Sequence, residues 1–176
     1  MLADALISPA LIARAKKGEP CALQHIYETY GPHIHALAVR MMASASDADD
    51  VLHDLFAGLP RALGSYEERG GFESWLRKCT VRLCLMALRR RRRECQLRPE
   101  EAEAAQWATR DSVLERIALE RALAAIPSHL RVVVVLKDVE GFGHEEIGKI
   151  LGITPGNSMV RLHRGRKLLR QFIGSR

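Results

Sequence analysis

A chain of 176 residues holds one domain or two small ones. Its hydrophobic share of 47% and charged share of 27% exclude a disordered or fibrous chain and fit a globular core. Lys and Arg outnumber Asp and Glu by 27 to 21, giving a formal charge of +6, which favours an anionic partner such as nucleic acid or an acidic membrane surface.

The periodicity predicts helices throughout. "SPALIARAKKGE" opens with Ser8 as N-cap and Pro9 at the first helical position. A second helix starts near Pro20 and runs towards Met42, with a bend expected at Gly31-Pro32. Ser46 is the expected cap of a third, whose Leu52, Leu55, Leu59 and Leu63 recur at helical spacing. A fourth begins near Phe72 and runs into the arginines of "LRRRRREC". Asp111 can cap a fifth, and Pro127, His144 and Pro155 begin three more. "RVVVVLKDV" has the β-propensity of a buried strand, but its neighbours are helical and no partner strand is visible, so helix is expected there. The fold class is all-α, in two small helical domains: 1–95, a linker at 96–111, and 112–176.

Charge is segregated along that order. Residues 45–68 carry Asp47, Asp49, Asp50, Asp54, Glu67 and Glu68 against Arg61 alone. Residues 77–98 carry nine Arg or Lys against Glu94, a net of +8. Residues 144–176 carry seven against Glu145 and Glu146, a net of +5. The acidic, alanine-rich "RPEEAEAAQWATRD" separates the two basic modules and reads as a linker. No apolar stretch is long enough to cross a bilayer. The N-terminus lacks the pattern of a secretory signal, so a cytoplasmic protein without membrane insertion is expected. Cys21, Cys79, Cys84 and Cys95 form no C-x-x-C pair and read as reduced thiols, three of them core filler. His33 and His35 would point to different sides of a helix, so no metal site is expected. No nucleophile-base constellation or phosphate loop appears, so neither an enzyme nor a cofactor is expected.

Five consecutive arginines repel one another, and their placement on the helix decides what they can do. At about 100° per residue, Phe72, Leu76, Cys79, Leu83 and Met86 form the expected core stripe of the fourth helix. Trp75, Lys78, Arg82, Arg89 and Arg93 gather beside it, while Arg90 to Arg92 point elsewhere. A basic line beside an indole suits unpaired nucleic acid, where cations follow phosphates and a ring stacks on a base. "GHEEIGKILGITPGNSMVRLHRGRKLLRQF" has the layout of a helix-turn-helix. Ile147 and Leu151 face its core, Gly148 permits close approach, Gly152 makes the turn and Ile153 fills the corner. Leu162, Leu169 and Phe172 are expected on the buried side of the second helix with Gly165 between them, and Ser158 faces the same way. Asn157, Val160, Arg161 and Arg164 are expected on the face that would enter a major groove.

With both modules read, the chain resembles an ECF-type (extracytoplasmic-function) sigma factor of bacterial RNA polymerase over nearly its whole length. "SDADDVLHDLF" is similar to the acidic helix of region two that docks on the polymerase β′ clamp, which assigns Asp47, Asp50, His53 and Asp54 to core polymerase. "GGFESWLRKCTVRLCLMALRRRRR" resembles the helix that captures the unpaired −10 strand, which assigns Trp75, Lys78, Arg82, Arg89 and Arg93 to DNA. The segment from "AIPSHLR" to "RKLLR" resembles region four, which reads the −35 element and meets the β flap. That implies −35 contacts from Pro155, Asn157, Val160, Arg161, Arg164 and Lys167. The partners implied are core RNA polymerase, promoter DNA and an anti-sigma factor. The chain departs from the family pattern at Val81-Arg82, where an Arg-Asn pair is common, and at Met86, where Asp is common. It departs again at Gly156-Asn157-Ser158-Met159-Val160, where Gly-Thr-Val-Lys-Ser is usual. The residues alone leave two alternatives open: a stand-alone helix-turn-helix regulator whose N-terminal half dimerises or senses, and a sigma-like decoy that titrates a regulator.

Overall fold

The computed structural model describes residues 7–67, 71–97 and 114–174, with only the backbone course of 95–97, 114–118 and 174. The expected linker and Asp111 lie largely or wholly outside those residues. Helices α1 to α4 make one compact unit and α5 to α8 another, with the short Arg40–Ser44 segment grouped in the second. No strand occurs among the described residues.

In the first unit, α1 (Pro9–Lys16) is capped as its sequence dictates: the Ser8 hydroxyl accepts from the Leu11 amide at 3.2 Å. Gly18, at φ 79°, turns the chain into α2 (Pro20–Met42), which runs on through Pro32 with the ring on the exposed side. Ala22, Ile26, Tyr30 and Ile34 recur every four residues on α2 and form its buried stripe. They meet Leu55 and Leu59 of α3 (Ala45–Ala62), Leu63 of the 3-10 turn Leu63–Ser65, and Phe72 and Leu76 of α4 (Phe72–Leu97). Helix α3 starts before the expected cap, so Ser46 lies in its first turn. The S-x-x-D spacing of a helix start is met from Ser44 to Asp47 instead.

The core stripe of α4 also differs from expectation. Phe72 and Leu76 are buried, but the burial then shifts to Thr80, Val81 and Cys84, and Met86 is 62% exposed. The buried side of α4 turns about the helix after Leu76, so counting forward at a fixed spacing leaves it and puts Met86 on the open side. The buried Thr80 hydroxyl donates to the Leu76 carbonyl at 3.0 Å, so it leaves no orphan polar group. Desolvation pushes the Cys84 thiol up to about 12, so it packs as an inert apolar group, whereas Cys21 is exposed.

In the second unit, α5 (Leu114–Ala125) leads to α6 (Ser128–Val134), which continues as a π-helical turn over Val135–Val139. The valine run is therefore helical despite its β-propensity. Val132, Val133, Val134, Val135 and Leu136 are all buried, and a helix covered on every side needs no 3.6-residue polar period. Arg131, buried among them, donates to the Leu123 and Ile126 carbonyls at the end of α5. Helices α7 (His144–Leu151) and α8 (Pro155–Gly174) complete the unit.

Candidate nucleic-acid and docking interfaces

The first unit sets its acidic and basic groups side by side. On α3, Asp50, His53 and Asp54 are exposed, opposite the buried Ala48, Val51, Leu55 and Leu59. Asp47 is different: its carboxylate accepts from Arg91 Nη1 at 2.8 Å, and both side chains are half-buried. Arg90 donates to Glu94 at 2.8 Å. Its guanidinium is held above its ordinary value first by Glu94 and then, through space, by Asp50 and Asp54. The arginine run thus divides by direction. Arg91, half-buried, and Arg90, exposed, face acids of their own unit, and Arg89, Arg92 and Arg93 are exposed away from them.

Lys78 and Arg82 are exposed on the same side of α4 as Arg89 and Arg93, so the expected basic line is open along its length. Trp75, at its start, is half-buried and packs against the core. Its ring stands edge-on to Tyr66 at 5.2 Å and tilted against Phe72 at 5.7 Å, and the residue stays partly exposed. Tyr66 and Phe72 belong to the same aromatic cluster but lie outside the helical stripe that singled out Trp75.

The second unit holds the helix-turn-helix. The Gly143 amide donates to Glu146 Oε2 at 3.0 Å and caps α7. Gly152, at φ 67°, takes the left-handed conformation that ends α7. A Cβ on Gly148 would stand 2.7 Å from the Ile153 carbonyl oxygen, so only glycine admits this approach of α7 to the turn. The Thr154 hydroxyl accepts from the Asn157 amide at 3.1 Å and caps α8 just before Pro155. Ser158, Leu162, Gly165 and Leu169 form the buried side of α8. Gly165 lets α8 close on α6, where a Cβ would meet Val134 at 2.6 Å. Phe172, expected on that side, is 52% exposed. Arg166 grips Asp138 with two hydrogen bonds, at 2.9 and 2.5 Å, and ties α8 to the π-helical turn.

The face left open contains Pro155, Asn157, Val160, Arg164 and Lys167, all exposed. Arg161 is half-buried, and its Nε donates to Asn157 Oδ1 at 3.0 Å. Ser158 is fully buried, and its hydroxyl lies 2.9 Å from His144 Nδ1 at the first position of α7. Among the described residues no group of three or more His, Cys, Asp or Glu could hold a metal ion, and no helix is long and apolar enough to cross a membrane.

This order of elements matches two family models, Sigma-70 region 2 over residues 26–94 and Sigma-70 region 4 over residues 116–169. The ECF RNA polymerase sigma factor SigE of Mycolicibacterium smegmatis is 33% identical over 82% of this chain, which spans 58% of that protein. The RNA polymerase sigma factor CarQ of Myxococcus xanthus is also 33% identical, over 92% of this chain and 94% of its own length. Among solved structures, the sigma factor RpoE of Bartonella quintana, in complex with the anti-sigma factor NepR, shares the fold with a TM-score of 0.64 at 21% identity, covering 86% of this chain and 96% of that one. CnrH, in complex with the cytosolic domain of CnrY, does so with a TM-score of 0.58 at 23% identity, covering 94% and 96%. Matches to both sigma-70 regions, in this order along the chain, make it a transcription initiation factor and not an enzyme. The chain belongs to the sigma-70 family, among its extracytoplasmic-function RNA polymerase sigma factors.

Proposed function

We propose that this chain carries core polymerase to its promoters by dividing the work among three surfaces. Asp50, His53 and Asp54, with Asp47 at their edge, form the docking line on α3 for the β′ clamp. Lys78, Arg82, Arg89 and Arg93 follow the phosphates of the separated −10 strand, and the exposed part of Trp75 meets an unpaired base. The exposed face of α8 enters the −35 major groove with Pro155, Asn157 and Val160 towards the bases, while Arg164 and Lys167 take phosphate or guanine. Arg161 acts through Asn157, whose carbonyl oxygen it holds. The domain division at 1–95 and 112–176 assigns one element to each unit, and the linker bridges them. The β flap and an anti-sigma factor are further partners, and the protein works in the cytoplasm.

The observation that carries this reading is the directional split of charge on the first unit. On α4 the exposed line of Lys78, Arg82, Arg89 and Arg93 is separate from Arg90, which faces Glu94, Asp50 and Asp54, and from Arg91, which pairs with Asp47. One protein can therefore hold a basic polymerase surface and a polyanion together. Polyanion contact offsets the repulsion within the arginine run and makes binding steeply salt-dependent. The test is co-elution of the full chain with core polymerase. Asp50→Lys/Asp54→Lys should abolish association and leave the unfolding transition in place, because both carboxylates are exposed. Unchanged co-elution of this double variant would remove α3 as the docking surface.

A further inference from the structure

The start of α8 presents an amide beside an exposed apolar side chain. Val160 is 49% exposed, at the centre of the face opposite Ser158, Leu162 and Leu169. Asn157 is exposed one turn earlier, at i and i+3, so the two side chains sit about 5–6 Å apart at Cβ. The Asn157 amide is not free to turn. Arg161 Nε can only donate, and it donates to Oδ1 at 3.0 Å, which fixes Oδ1 towards Arg161. The Asn157 amide nitrogen is left outward as a donor, beside an exposed valine.

A donor and a methyl-bearing apolar group at that spacing match one base edge. In the major groove thymine offers the O4 acceptor next to its C5-methyl, whereas cytosine offers an N4 donor and no methyl. Adenine would need Asn157 Oδ1 to accept from N6 with its second lone pair while Arg161 holds the first, and it offers no methyl group to Val160. Guanine accepts at O6 and N7 but has nothing for an apolar side chain to meet. We propose that Asn157 and Val160 together read a thymine in the −35 element, Asn157 donating to O4 and Val160 packing on the methyl. This rests on the reading of α8 as the −35 helix. Arg164 and Lys167, exposed on the same face, supply the cations that hold the pair against the duplex. Met159, 54% exposed on the flank, extends the apolar surface where the family usually has a lysine.

The experiment uses holoenzyme made from core polymerase and the full chain. A promoter library randomised across the upstream element is selected for binding and sequenced, and the preferred thymine is then replaced by deoxyuridine, which removes only the methyl group. Wild-type holoenzyme should lose about fourfold in affinity, the loss expected for one buried methyl. Val160→Ser, carrying the residue usual in the family, should bind the thymine and deoxyuridine promoters equally. Asn157→Ala should keep the sensitivity to deoxyuridine but lose discrimination against cytosine, roughly tenfold. Enrichment of other bases with no preferred thymine would overturn the assignment while leaving α8 as the reader. An equal loss on deoxyuridine for wild type and Val160→Ser would overturn it too, since the methyl would then be met elsewhere. No upstream preference at all would reject the −35 reading of α8, and this proposal with it.

Discussion

Ser158→Val tests how α8 is held. The family pattern has valine there, and burial alone argues for it: two methyl groups in place of a hydroxyl should gain about 1 kcal/mol. The structure reverses the sign. Ser158 is fully buried, with its hydroxyl 2.9 Å from His144 Nδ1, and this bond joins the first turn of α7 to that of α8. Losing it costs about 1 kcal/mol. The unpaired imidazole nitrogen adds about 1 kcal/mol, the low end of the range because His144 is half-exposed and water can reach it. Set against the apolar gain, Ser158→Val should destabilise the second unit by about 1 kcal/mol. Chemical denaturation of the full chain followed by circular dichroism, with each transition fitted separately, measures this. The same substitution in a His144→Ala background separates the terms. With no imidazole to orphan, the valine should become neutral or stabilising, a coupling of about 1–2 kcal/mol. Equal stabilisation by valine in both backgrounds would refute the reasoning.

Two other outcomes follow from particular contacts. Gly148→Ala should destabilise the second unit by about 1–2 kcal/mol, because its Cβ would press on the Ile153 backbone carbonyl and outweigh the helix-propensity gain; melting of the full chain, alongside upstream promoter affinity, checks it. Arg82→Ala should slow open-complex formation without shifting the unfolding curve, since Arg82 is exposed. Trp75→Ala should impair both, because that ring packs on Tyr66 and Phe72. Permanganate footprinting beside a melting curve distinguishes them, and an unchanged melt for Trp75→Ala would mean that the indole contributes nothing to the core.

What the sequence made legible was local. Ser8 and Pro9 announce α1, Gly148 and Gly152 place the helix-turn-helix, and helical spacing turns Ser158 inward, all from residues within a turn or two of one another. The misses came from partners far along the chain. His144 lies fourteen residues from Ser158, and Asp47 forty-four from Arg91, distances at which periodicity carries no information. Met86 and Phe172 were placed inside by extending a stripe at fixed spacing, but which side of a helix stays buried depends on the elements packed against it, as the turn of the α4 core to Thr80, Val81 and Cys84 shows. The candidate −10 line was legible because it is a surface property of one helix. The division of the arginine run between inward pairing and outward contact was not, because it depends on where α3 lies beside α4.

The most direct measurement is run-off transcription with purified core polymerase on genomic fragments from the source organism. With the full chain added, discrete transcripts should start downstream of shared upstream and −10 elements. They should vanish with Asp50→Lys/Asp54→Lys and weaken steeply as salt is raised. Specific duplex binding by the chain alone, with no polymerase-dependent transcript from any fragment, would contradict the account and leave a stand-alone regulator.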